Sequence, residues 1–449
     1  MNVLKIFRLP GAAVWQNQSF RRYSGNMIWL SAERVVRIII GLTVGIYVAR
    51  ELGPYKYGML SYVQNFCIIC SIFGNFVAEV VAVQRLVKYP ARRNEILGSC
   101  FRVRLIALLP VAVFTIIGIM IQQDSPELIR LIILMSTTNI WLLFSGAEFF
   151  FQAGVYGKYV AIAQIIAHII GSLGRGTCAY LKADLIWFVA FESFFALIYI
   201  ILYLVFYRKL CGESVCRWKF SSHECRILLR RSWPIILAGM GGMVYAKADQ
   251  LFLKELTDLT EVGFYAVANR MTELFYTIPT IIGVTLFPAI VKYHTQDSAL
   301  YQERIRILYC GMFYGGLTSV LVLNLLAPGV IDLLYGGKYN QAVEIFHLYS
   351  WNILFMFIAT ANAKVMVLQR CQNYQLIFSL LGVGINLTLN TVLIPRYAAQ
   401  GAAAASVING GVIFLILPIC FRATRNIGWN ILAAPNFMPA IRLLAHWLK

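Results

Sequence analysis

Leu334-Tyr335-Gly336-Gly337-Lys338-Tyr339 opens the last third of the chain. An apolar helix separates it from Asn386-x3-Asn390-x3-Ile394-Pro395-Arg396-Tyr397 and from Gly401-Ala402-Ala403-Ala404-Ala405. Two nearly uncharged segments meet there at a four-residue turn, 395–398. Each is long enough for a bilayer core, which takes about 20 apolar residues in a helix. A soluble domain has no reason to repeat spans of this length. The chain is read as a membrane protein.

Working outward, the same pattern recurs along almost the whole sequence. Hydrophobic residues make up 59% and charged residues 13%, with a mean hydropathy of +0.70. Soluble domains carry about 25% charge. Lipid offers no partner for backbone N–H and C=O groups, so each span must satisfy its own as a helix. The runs do not alternate as barrel strands would. Twelve spans are expected: 27–49, 60–83, 97–121, 128–151, 158–180, 185–207, 232–253, 264–290, 305–334, 344–369, 373–394 and 399–421. Residues 1–26 contain Lys5, Arg8, Arg21 and Arg22 but no cleavable-signal core, so the first span is expected to stay as an anchor. In 422–449, Phe437, Ile441, Leu444 and Leu448 fall on one helical face, which suits a helix lying on the membrane surface.

The formal net charge of +19 could suggest nucleic acid. Its distribution argues against that. With the N-terminus inside, segments on the cytoplasmic side hold 26 of the 39 basic residues and outer ones 8, which is the positive-inside bias. Both termini are therefore expected in the cytoplasm, and the basic balance reports topology. The ten cysteines lie mostly within apolar spans as small hydrophobes. Cys211, Cys216, His223 and Cys225 do not have a zinc-site spacing.

The halves resemble each other. Glu51-Leu52-Gly53-Pro54-Tyr55-Lys56-Tyr57-Gly58 follows span 1, and Glu255-Leu256 through Gly263-Phe264-Tyr265 follows span 7. Six spans per half is even, which implies a parallel repeat about an axis along the membrane normal. The expected organisation is a cytoplasmic segment 1–26, an N-lobe 27–207 (spans 1–6), a cytoplasmic inter-lobe linker 208–231, a C-lobe 232–421 (spans 7–12) and an amphipathic tail 422–449. The fold class is an all-α integral membrane protein of about twelve helices in two six-helix lobes.

Three stretches carry a family resemblance: the Leu-Gly-Pro-x3-Gly turn at 52–58, Asp249 through Gly263-x-Tyr265, and Asn386-x3-Asn390-x3-Ile394-Pro395 followed by Gly401-Ala402-Ala403. Together they resemble the Wzx-like polysaccharide flippases of O-antigen and capsule synthesis, within the multidrug/oligosaccharidyl-lipid/polysaccharide (MOP) exporter superfamily. One departure is Ala398-Ala399-Gln400, where the family more often has a glycine straight after the turn aromatic. The resemblance implies two lobes in a V around a central cavity. It also implies translocation of an undecaprenyl-pyrophosphate-linked oligosaccharide across the bacterial inner membrane. Membrane lipids and a polysaccharide polymerase are the further partners in view; no nucleic acid and no cofactor are expected.

Ionisable groups at bilayer depth are expensive and face a cavity or a partner. Glu33, Arg34 and Arg37 on span 1, Glu79 on span 2 and Glu148 on span 4 fall towards the cytoplasm. Arg175, Glu192, Lys247, Asp249, Arg270 and Glu273 fall towards the outside. Arg34 and Arg37 share a helix face at i, i+3, and guanidinium matches pyrophosphate oxygens in bidentate fashion. Equally, Glu33 and Arg37 at i, i+4 could simply pair. Arg270 with Glu273, and Arg175 with Glu192, could neutralise each other in the same way. The substrate-binding candidates are Arg34, Arg37, Lys247 and Arg270. A buried carboxylate can load and release a proton, which makes Glu79 and Asp249 the ion-coupling candidates. Two other functions stay open. A cation-coupled multidrug exporter of the same superfamily would need a more apolar cavity. A membrane polysaccharide polymerase would need a larger outer domain than loops this short provide. No Gly-x4-Gly-Lys-Ser/Thr loop is present, so ATP does not drive the protein directly.

Overall fold

A computed structural model describes residues 18–435 except 75, 123–124 and 295–297. The amphipathic face expected at 437–448 lies outside the described residues. Every regular element among them is helical. The sequence runs through α1 (Gln18–Ile72), α2 (Glu79–Lys88), α3 (Arg93–Gln122), α4 (Pro126–Ser136), α5 (Thr138–Trp141), α6 (Gly146–Ala153), α7 (Gly157–Tyr180) and α8 (Leu185–Cys211). It continues through α9 (Ser222–Leu256), α10 (Leu259–Phe275), α11 (Thr277–His294), α12 (Ser298–Tyr335), α13 (Gln341–Tyr349), α14 (Trp351–Leu368), α15 (Asn373–Gly411), α16 (Leu417–Cys420) and α17 (Arg425–Leu432). Seven helical stretches among the described residues are long and apolar enough to cross a bilayer. The all-α, multi-pass class expected from composition is the one observed.

The chain divides into two compact units. One comprises the chain up to Glu51 together with Cys70–Ile236; the other comprises Leu52–Ile69 and the chain from Leu237 on. The first is built on a core of Ile96, Leu97, Cys100, Phe151, Tyr203 and Tyr207. The second is built on Ile305, Tyr309, Met312, Ile353, Phe357 and Val365. Large apolar side chains such as Leu109, Ile121, Leu325 and Leu333 point outward from both. In water that would be costly; in lipid it is the expected outer surface.

The helix breaks have local causes. Gly53 takes φ 71, ψ 172 inside α1, so the first two spans meet at a glycine kink rather than a loop. The turn at 395–398 is a second kink: Pro395 removes a backbone donor and Ala398 sits at φ 47, ψ −129 within α15. Asp258 caps α10, its carboxylate accepting from the N–H groups of Thr260 (2.7 Å) and Glu261 (2.9 Å). The expected span at 264–290 is divided at Tyr276 between α10 and α11. The expected span at 60–83 is corrected: α1 ends at Ile72, turns close through Phe73 N–H to Cys70 O and Gly74 N–H to Ser71 O, and α2 starts at Glu79.

The two similar turn motifs meet inside the second unit. A Cβ on Gly58 would run into the carbonyl oxygen of Leu259, and one on Gly263 would run into that of Pro54. Each motif thus supplies the glycine that lets the other's backbone approach.

Candidate functional site

The most elaborate polar site lies in the second unit, around Asp249. Tyr245 and Asp249 are one helical turn apart on α9, and Tyr265, Asn269 and Glu273 repeat at i, i+4 along α10. Asn386 and Asn390 are likewise one turn apart on α15, before its kink, and Ser406 follows after it. The kink is what allows one helix to present three polar groups to one carboxylate.

Asp249 is buried. Its Oδ1 accepts from Asn390 Nδ2 at 2.7 Å and Asn386 Nδ2 at 3.0 Å. Its Oδ2 accepts from Tyr265 Oη at 2.6 Å and from Ser406 Oγ. Asn390 Nδ2 also reaches Asn386 Oδ1, at 3.1 Å. Four neutral donors replace the water that the carboxylate loses on burial, which is how a lone charge is kept inside a membrane helix bundle. One acceptor is left over: the buried Oδ1 of Asn390 has no hydrogen-bond partner.

Beside this cluster is a cavity of about 480 Å³ lined by Asp249, Tyr245, Asn269, Glu273, Tyr276 and Asn352, among others. Lys247 Nζ donates to Glu273 Oε1 at 3.2 Å, and Asn269 Nδ2 reaches the same oxygen at 3.3 Å. Tyr349 Oη donates to Asn269 Oδ1 at 2.9 Å. Asn352 is buried with its Nδ2 unpartnered. The cavity is therefore rimmed by two carboxylates, one of them matched by Lys247, and by tyrosines and amides that donate or accept.

The remaining candidates fall as follows. Arg34, Arg37 and Glu79 belong to the first unit, and Lys247, Asp249 and Arg270 to the second. Arg37 Nε lies 3.2 Å from Glu33 Oε1, with the Glu33 side chain 5% and that of Arg37 48% exposed. The i, i+4 pair is formed, yet its guanidinium stays open to solvent or ligand. Arg34 is exposed next to it. Glu79 is exposed in the first turn of α2, after the break that follows Ile72. Arg175 does pair with Glu192, at 2.8 Å. The Arg270–Glu273 neutralisation is corrected: Glu273 takes Lys247 from the neighbouring helix, and Arg270 is exposed.

Asn269, Tyr349, Asn352 and Ser406 carry no signal in the sequence reading, and Tyr265 only that of a motif letter. Asn386 and Asn390 stood out only as motif letters, although their i, i+4 spacing already put two amides on one face. Nothing local in the sequence marks Asn352 or Ser406, because both are recruited by packing.

A family model described as polysaccharide biosynthesis protein matches residues 24–294. The chain belongs to this family. A stretch of 175 residues is 29% identical to the probable flippase AglR of Haloferax volcanii, covering 37% of this chain. The match spans only 36% of that relative's own length. Among solved structures, the fold is similar to the lipid II flippase MurJ in an inward closed conformation, with TM-score 0.67, 15% identity and 93% of each chain covered. It is also similar to an inward-facing multidrug resistance MATE transporter of the MOP superfamily, with TM-score 0.60, 14% identity, and 92% of this chain and 99% of the other covered. These likenesses show that the chain shares the fold of these two proteins.

Proposed function

We propose that this polysaccharide biosynthesis protein is a flippase for undecaprenyl-pyrophosphate-linked oligosaccharides, working in the bacterial inner membrane with both termini in the cytoplasm. Family membership carries the reading, and the named flippases among its relatives and fold neighbours support it. Alternating access follows from the proposal. The anionic head is received at Arg34 and the half-exposed Arg37, while Glu33 orients the latter. The polyprenyl tail remains in lipid, and the head is released on the other side. Lys247 is committed to Glu273, so of the two outer basic candidates the exposed Arg270 is the better placed to meet the head. The exposed helix-start Glu79 is the weaker of the two acids proposed for coupling.

Asp249 is the stronger coupling candidate. Its oxygens, the orphaned Oδ1 of Asn390 and the Ser406 hydroxyl make an oxygen-rich set. Such a set suits a hard monovalent cation or a proton carried as cargo. A second reading draws on the cavity itself: carboxylates and tyrosines around 480 Å³ would also hold an organic cation, as an exporter would need. Complementation separates them. In a strain lacking its own flippase, expression should restore surface polysaccharide without raising resistance to cationic drugs. Drug resistance without polysaccharide would favour the exporter.

A further inference from the structure

A second site lies in the first unit, at the start of α9. After α8, Gly212 closes the helix at φ 67 and the chain folds back over 213–221 before α9 begins. Lys219 N–H donates to Asn94 O at 3.0 Å, and Ser99 Oγ exchanges hydrogen bonds with the backbone of Ser221. Glu224 is fully buried, held by Arg85 through two short contacts (2.6 and 2.7 Å) and by Arg92 at 3.0 Å. The start of α9 is therefore rigidly seated. On its outer side is an open groove of about 410 Å³ lined by Phe220, Ser222, Cys225, Arg226, Leu229 and Arg230.

Three features define what the groove can take. Arg226 and Arg230 are one turn apart and both exposed, and Arg102 sits 5.3 Å over the Phe220 ring at its edge. The acid of this stretch, Glu224, is already consumed by Arg85 and Arg92. Cationic charge is thus left for an external anion. Next, Phe220, Leu229 and Trp233 are exposed by 51%, 40% and 58%. An apolar strip so runs from the arginines into Trp233-Pro234-Ile235-Ile236, where the helix becomes apolar. Arginines beside an exposed tryptophan at the start of an apolar helix are the composition of a headgroup boundary.

We infer that the groove formed by Phe220, Arg226, Leu229 and Arg230 binds the phosphate of an anionic phospholipid, whose acyl chains lie along Leu229 and Trp233. A bilayer phospholipid is favoured over a soluble anion because the apolar strip continues from the cationic end. It is favoured over a protein partner because that strip runs on into the apolar part of α9, the expected span 232–253.

The test uses the purified full chain in nanodiscs of phosphatidylcholine, with and without phosphatidylglycerol, reading retained lipid by native mass spectrometry and the thermal midpoint. Wild type should retain phosphatidylglycerol selectively and melt higher with it. Arg226→Gln with Arg230→Gln should lose roughly tenfold or more of that occupancy, as expected for losing charged hydrogen bonds. Phe220→Ala alone should weaken it less. Arg306→Gln with Arg422→Gln, exposed arginines outside the groove, should leave it unchanged. Should the double groove variant fail to fold, Arg226→Lys with Arg230→Lys keeps the charge and should lose only part of the occupancy. Equal losses in the groove and control variants would overturn the inference, as would equal stabilisation by inorganic phosphate, or retention of phosphatidylglycerol unchanged in the groove variants.

Discussion

Asn390 donates to the buried carboxylate of Asp249 at 2.7 Å while its own side-chain oxygen is left without a partner. One residue thus both stabilises the charge and offers an oxygen beside it. Replacing Asn390 with Leu removes both roles. Losing one charged hydrogen bond costs about 1.5–3 kcal/mol. The apparent affinity for the coupling ion should fall roughly tenfold to hundredfold, with little change in expression. Transport measured against sodium and proton gradients in vesicles checks this; an unchanged ion dependence would remove Asp249 from coupling.

Asp249→Asn should be more severe. It puts amide hydrogens among four donors that now share one acceptor carbonyl, leaving buried groups unpaired. Each unpaired group costs about 1–3 kcal/mol. The expected outcome is loss of ion dependence together with a lower thermal midpoint. Loss of coupling at an unaltered midpoint would mean that the four donors are not needed to hold the helices together.

Ala398 occupies a backbone region that normally only glycine visits (φ 47, ψ −129). It is also the position at which the resemblance in the turn motif implied a glycine. Strain of this kind costs about 1–3 kcal/mol, so Ala398→Gly should raise the thermal midpoint in detergent. A midpoint lowered by the substitution would mean the added flexibility outweighs the relieved strain.

How far the sequence could be read follows from where each signal sits. The kinks at Gly53 and at Pro395–Ala398 were legible because Gly and Pro act on their own backbone. The Glu33–Arg37 pair was legible as an option because both partners share a helix, and an i, i+4 spacing needs no tertiary knowledge. The actual partner of Glu273 is not legible, for the opposite reason. Its partner Lys247 is on another helix, and only the register of α9 against α10 selects it. The Asp249 site draws on α9, α10 and both sides of a kinked α15, so no window of sequence contains it. The break after Ile72 was hidden within an apolar stretch that hydropathy reads as continuous.

Acid sensitivity should be visible at the seat of α9. Asn94 first, and Arg93 with it, hold Glu213 below the usual carboxylate value of 4.5. A carboxylate with a depressed folded pKa contributes stability that is complete above its unfolded pKa. That contribution is lost as pH falls through the lower folded value. Stability should therefore decline below about pH 4.5, and Glu213→Gln should flatten that part of the profile while leaving pH 7 activity intact. A thermal midpoint followed from pH 7 to pH 3 checks it; identical acid limbs in both proteins would contradict the assignment.

The central claim is that a pyrophosphate-linked head crosses the membrane by way of Arg34 and Arg37. Proteoliposomes containing a fluorescent polyprenyl-diphosphate oligosaccharide test it directly, with an impermeant quencher reporting how fast the head changes sides. The wild-type chain should accelerate the exchange. Arg34→Ala with Arg37→Ala should reduce it at least roughly tenfold at equal protein incorporation, whereas lysines at both positions should retain part of it. If Glu33→Gln with Arg37→Met flips the head as fast as wild type, or if wild type does not flip it at all, the account is contradicted.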